Sequence, residues 1–172
     1  MIAIRLSKVV LVVALALTCT LVVFGNVVDP AVNPSFVRHV LSMDTVLPGS
    51  GIADRSITNP ALQRVAFGLI VAGEALTALL LWLGALLMLL RLRSTAETFG
   101  RARTWAIAGL SIGFLVWQAG FLGIGGEWFG MWMSKEWNGQ ESAFRFAMTV
   151  LGVLIYVSLP EGAPPAGPPT GR

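Results

Sequence analysis

The stretch VAFGLIVAGEALTALLLWLGALLMLLRLR, residues 65–93, decides the fold. From Val65 to Leu90 it is apolar and interrupted only by Glu74, and it ends abruptly on Arg91 and Arg93. A helix needs roughly 17–25 such residues to cross the hydrocarbon of a bilayer. Three more stretches meet the same rule. One runs from Val9 to Val28, behind Arg5 and Lys8, and another from Thr104 to about Gly126. The last, about Ser142 to Leu159, is the shortest, and its Arg145 lies close enough to one end to snorkel to the headgroups. The pattern predicts an all-α, polytopic membrane protein: a four-transmembrane-helix bundle over residues 1–159. Residues 160–172, rich in proline and glycine, have nothing to bury and are expected to be disordered.

Composition agrees. Hydrophobic residues make up 55% of the chain and charged residues 12%, against about 25% charged in soluble domains. The net charge of +3 does not make a nucleic-acid binder, because the basic residues flank apolar runs and form no single stripe. One cysteine, Cys19, excludes an intramolecular disulfide and any multi-cysteine metal site. The first apolar run is long for a signal-peptide core. Ala16-Leu17-Thr18-Cys19 is a poor lipoprotein cleavage box because of Leu17 and Thr18, so an uncleaved anchor is expected.

Basic residues beside the spans set orientation. With the N-terminus inside, the cytoplasmic parts hold Arg5, Lys8, Arg91, Arg93, Arg101, Arg103 and Arg172, and the outer parts hold Arg38, Arg55, Arg64, Lys135 and Arg145. Four arginines crowd the short connection between the second and third spans with only Glu97, whereas six acids lie outside. Both termini and residues 91–103 are therefore expected in the cytoplasm, with residues 29–64 and 127–141 outside.

The first outer segment carries Asn33-Pro34, a helix-start signal with Asn as cap and Pro at the first helical position. Phe36, Val37, Val40 and Leu41 follow at helical spacing, which predicts a short amphipathic outer helix. Asn59-Pro60 repeats the signal, so the second span is expected to begin near Pro60. The second outer segment holds Trp128, Phe129, Trp132 and Trp137, residues that favour the membrane–water boundary; one more helical turn fits between Glu127 and Ser134. The outer face thus gathers Arg38, His39, Asp44, Glu127, Trp128, Trp132 and Arg145. Arg38 and Arg145 are the candidates to pair with Glu127 or another outer acid.

These outer segments resemble the signatures of one bacterial family, DUF2165, a set of predicted small integral membrane proteins of unknown function. The resemblance rests on residues 36–45 (FVRHVLSMDT), 126–132 (GEWFGMW), 137–140 (WNGQ) and 143–145 (AFR), and it extends over nearly the whole chain up to the tail. Gly25-Asn26 and Asp29-Pro30 stand where the family more often shows paired asparagines and an Asp-Tyr, and Met133 where glutamine is usual. The resemblance implies a four-helix protein of the bacterial cytoplasmic (inner) membrane and supplies no reaction.

Glu74 is the most informative residue. An acidic side chain within a span costs about 2.5–3.5 kcal/mol on insertion scales and normally faces the protein interior. Gln118, Thr20 and Thr149 lie at a similar depth on the other spans, so one polar layer is expected to join all four helices. The layer reads either as structural, with Glu74 a neutral hydrogen-bonded acid, or as a proton or cation site. Gly109 and Gly113 form a GxxxG, and Gly68 with Ala72 is a related small pair; packing within the monomer competes here with homodimerisation. His39 and Met43, four apart, have a spacing that can serve a metal, but packing explains them more cheaply, and no metal or other cofactor is expected. No nucleophile–base pair, phosphate loop or metalloprotease motif appears.

The expectation is a non-enzymatic accessory or scaffold protein, with the lipid bilayer and another membrane protein or itself as partners, and no nucleic acid. The alternative is a small transporter, proton or cation pathway, or lipid-binding protein built around Glu74. An accessible path to Glu74 favours the alternative; a dry, packed layer favours the scaffold.

Overall fold

The computed structural model describes residues 2–29 and 31–160. The tail expected beyond Pro160 lies outside them. Eight elements follow in order: α1 (Ile2–Val28), α2 (Val32–Ser42), a 3-10 turn (Ala53–Arg55), α3 (Pro60–Leu90), α4 (Ala96–Leu115), a π-helical continuation (Val116–Trp128), a second 3-10 turn (Met131–Met133) and α5 (Gln140–Ser158). No strand occurs among the described residues. Four helices are long and apolar enough to cross a membrane. They leave large side chains such as Leu69, Leu79 and Leu90 more than two-thirds exposed, which is the surface hydrocarbon would cover.

Helix α3 packs against α1 on one side and α4 on the other, and α5 packs on α4, its π-helical continuation and α1. The buried stripe of α3 passes through Gln63, Glu74, Thr77, Leu81, Gly84 and Met88; the steps of three and four, and the eleven (about three turns) from Gln63 to Glu74, keep one face inward. Contact with α4 is close enough to require glycine. A Cβ on Gly84 would collide with the Ala106 backbone, and one on Gly113 would lie 2.9 Å from the Thr77 methyl. The GxxxG of α4 is therefore consumed by packing on α3 within one chain.

The ends carry the corrections. Asn59 caps α3 through Ala61 N at 2.8 Å, with Pro60 at the first position. At α2 the same signal is used otherwise. The helix starts at Val32 with Ala31 as cap residue, Asp29 Oδ1 accepts from Ala31 N at 3.1 Å, and the Asn33 amide reaches inward to Asn26. The expected extra turn between Glu127 and Ser134 is only the 3-10 turn Met131–Met133. The third span also departs from an α-helix after Leu115. Phe129 N bonds Ile124 O at 3.0 Å, a step of five. Four glycines between Gly120 and Gly126 leave that wider coil few side chains to crowd.

Both described termini meet the α3–α4 connection at one end of the molecule. Arg5 Nη1 donates to Leu92 O at 2.8 Å and Ser94 O at 2.7 Å. Lys8 Nζ donates to Leu159 O at 2.6 Å, and Arg103 Nη1 reaches the same carbonyl at 2.7 Å. These cations satisfy carbonyls that a helix C-terminus leaves unpaired and oppose its negative dipole end. At the opposite, loop end, α2 docks on α3 through Val37, Leu41 and Met43, joined by Phe129.

Candidate ligand-binding site

Asn26 lies on the inward stripe of α1, seven residues beyond the buried Cys19 and fourteen beyond the buried Val12. That stripe faces α3, so Asn26 meets Glu74, the one acid on the buried stripe of α3. Asn26 Nδ2 donates to Glu74 Oε2 at 2.7 Å, and its Oδ1 accepts from Asn33 Nδ2 at 2.6 Å. The result is a chain of polar groups from Asn33, exposed at the loop end, through buried Asn26 to Glu74, which is only 4% exposed. Asn26 is the only hydrogen-bond partner of Glu74 among the described residues.

The expected four-helix polar layer does not form. Gln118 is exposed and adjoins buried Trp117, which points the neighbouring residue away from the interior. Thr149 is exposed beside buried Val150 and donates to its own helix at Arg145 O, 2.8 Å. Thr20 is exposed, donates to Ala16 O at 2.7 Å and accepts from Trp82 Nε1 at 3.0 Å. Depth alone misled here. Residues at one level of a bilayer share a layer only if they also lie on the inward arc, and a threonine off that arc satisfies itself on the carbonyl four residues back.

Above Glu74 the packing opens. A cavity of about 320 Å³ runs from Asn33, Gly139 and Ser142 at the loop end down to Glu74 and Asn26, within the roughly 300–1,000 Å³ of small-molecule sites. Its wall is aromatic. Trp117 stacks on Phe121 at 4.9 Å and on Phe146 at 4.4 Å between centroids, and Phe36, Phe67 and aliphatic side chains such as Val22 and Ile70 also line it. Below Glu74 the way closes. A void of only about 10 Å³ lies between Cys19, Thr77 and Trp117, at the lower limit for one water. Thr77 donates to Gly73 O at 2.8 Å, and the interior beyond it is Val12, Ala16, Leu81, Ala85, Met88 and Leu110. The carboxyl group is reached from the loop-end side of the bundle and is closed off below.

The outer-face residues are placed differently from the expectation. Arg145 pairs with Glu141 at 3.7 Å on its own helix, and Arg38 meets Ser35 Oγ at 3.3 Å and His39 Nε2 at 3.3 Å. Glu127 is exposed, and neither arginine pairs with it among the described residues. His39 links the two outer segments. Its ring stacks on Trp137 at 4.3 Å, and Nδ1 lies 2.7 Å from Asp44 Oδ2. Met43, the other half of the possible metal spacing, is buried in the apolar cluster under α2. Trp128 and Trp132 are about half exposed, and Arg55 lies 4.5 Å over the Trp128 ring.

The sequence marked Asn26 only as part of a departure from the family's paired asparagines, at the end of a span, and did not link it to Glu74. The signal was present: Val12, Cys19 and Asn26 recur every seven residues, one face of a helix. A family model described as a predicted small integral membrane protein, DUF2165, matches residues 4–160. No curated protein and no solved structure matches. The chain belongs to the DUF2165 family and is an integral membrane protein.

Proposed function

We propose that this protein is a non-enzymatic binder of a small cation or hydrogen-bond donor, held at Glu74 in a pocket open to the loop end. The observation that carries the reading is the cavity of about 320 Å³ ending on a buried carboxyl group. Glu74 presents acceptor oxygens with one protein partner among the described residues, and the aromatic faces around it suit a positively charged head. A through-pathway is disfavoured by the apolar packing below Thr77. The pocket is therefore a one-sided binding site, and transport would require a second arrangement of the helices. By the distribution of arginines, the reading places the protein in the bacterial inner membrane with its termini cytoplasmic and the pocket mouth outside.

Binding of radiolabelled butylamine to the protein in nanodiscs, with empty discs subtracted, tests the reading. Saturable binding abolished by Glu74→Gln is expected; binding that is absent, or unchanged in Glu74→Gln, would sink it. An accessory role stays as a second reading because Trp128 and Trp132 are exposed at the loop end, although a bilayer interface also accounts for them. A stoichiometric partner copurifying from native membranes and lost in a Trp128→Ala, Trp132→Ala double variant would favour that role.

A further inference from the structure

A second cavity joins the first. It measures about 210 Å³ and lies between α2, α3 and the π-helical segment. Phe36, Val37, Ile70 and Phe121 line both, so the two spaces are neighbours across one wall of side chains. Their chemistries differ. The Glu74 pocket offers Asn33, Asn26 and a carboxyl group, whereas the second space is bounded by apolar side chains and by Gly120 and Gly125. Its rim includes Leu69 and Ile124, 69% and 55% exposed, on helix surfaces that face hydrocarbon in a bilayer. Water gains nothing in such a groove, and a protein partner would have to approach through lipid.

From this adjacency we infer that the ligand is an amphiphilic amine admitted sideways from the bilayer, its ammonium head at Glu74 and its alkyl chain passing between the shared side chains into the groove along Gly120. The inference rests on the reading of Glu74 as a cation site and adds the chain, its groove and the route. The wide π-helical coil has a part in it. Gly120 meets nothing within 4 Å of an added Cβ, so the groove exists because no side chain fills it.

Chain length separates the inference from the reading beneath it. Binding of butylamine, octylamine and octanoate to the protein in nanodiscs is compared, together with Gly120→Leu, whose side chain enters the groove. Burying each methylene is worth about fourfold in affinity, so octylamine is expected to bind at least about tenfold tighter than butylamine, after allowing for incomplete burial. Gly120→Leu is expected to remove that gain and retain butylamine binding, which also reports that the variant is folded. Should it fail to fold, Ala66→Leu on the opposite wall serves the same purpose. Equal affinity for the two amines, or a chain-length gain that survives the groove-filling variants, overturns the groove. Octanoate binding as tightly as octylamine overturns the ammonium head. Loss of all amine binding in the wild-type protein overturns the reading of Glu74 itself, and the inference with it.

Discussion

Replacing Asn26 by leucine removes the only side chain among the described residues that bridges Asn33 and Glu74, and keeps the number and branching of side-chain heavy atoms. Two hydrogen bonds of 2.6 and 2.7 Å are lost. Their costs are unequal. Asn33 is exposed and rehydrates fully, whereas Glu74, 4% exposed, regains at most a cavity water in place of its partner, a loss of up to about 1–3 kcal/mol. Glu74→Leu strands the Asn26 amide in the same way. With both changed, neither polar group remains to be satisfied, so the double variant should recover much of the summed loss. Coupling energies between polar groups in membrane helices average about 0.6 and reach about 1.7 kcal/mol. A double-mutant cycle should therefore return roughly 0.6–1.7 kcal/mol of favourable coupling. Reversible unfolding in mixed micelles, followed by circular dichroism, supplies the four stabilities. Additivity within about 0.3 kcal/mol would mean that the pair does not interact, and the polar chain from the loop end would lose its central link.

The α3–α4 contact predicts that Gly84→Val, which drives a side chain into the Ala106 backbone, destabilises by at least about 1–3 kcal/mol. Gly68→Ala, with nothing within 4 Å of the new Cβ, should be neutral or stabilising by up to about 1 kcal/mol in the same unfolding assay. Gln118→Leu and Thr149→Val alter exposed positions and should shift stability by no more than about 0.5 kcal/mol; a large loss would revive the four-helix polar layer. Lys8→Met and Arg103→Met each leave the other cation on Leu159 O. The double variant should therefore lose more stability than the two single losses added together, and strict additivity would show that the cations do not share the α5 terminus.

How much of this was legible in the sequence follows from what each signal measures. Apolar length located the four long helices, because crossing hydrocarbon is a property of one segment at a time. Asn59-Pro60 marked the start of α3 for the same local reason, whereas the equally good Asn33-Pro34 signal failed because Asn33 had a tertiary partner in Asn26. Glu74 was legible as an inward residue from its cost alone. Its partner was misjudged because depth was weighed without azimuth: Thr20 shares the level, but Asn26 shares the face of α1 with Cys19 and Val12. The π-helical turn and the two cavities depend on how glycine-rich backbone settles against aromatic neighbours. No residue-by-residue pattern encodes that arrangement.

Glu74 is open to water from the loop end and closed from the other. With Cys19 replaced by alanine, a single cysteine is placed at position 74, and in a control at position 81, fully buried on the same stripe of α3. A small, water-soluble methanethiosulfonate is then added to each face of sealed membranes. Labelling at position 74 from the loop-end face alone, with none at position 81 from either face, is the predicted result. A cysteine at position 74 that stays as unreactive as the one at position 81, or that labels from the face carrying the termini, would contradict the account.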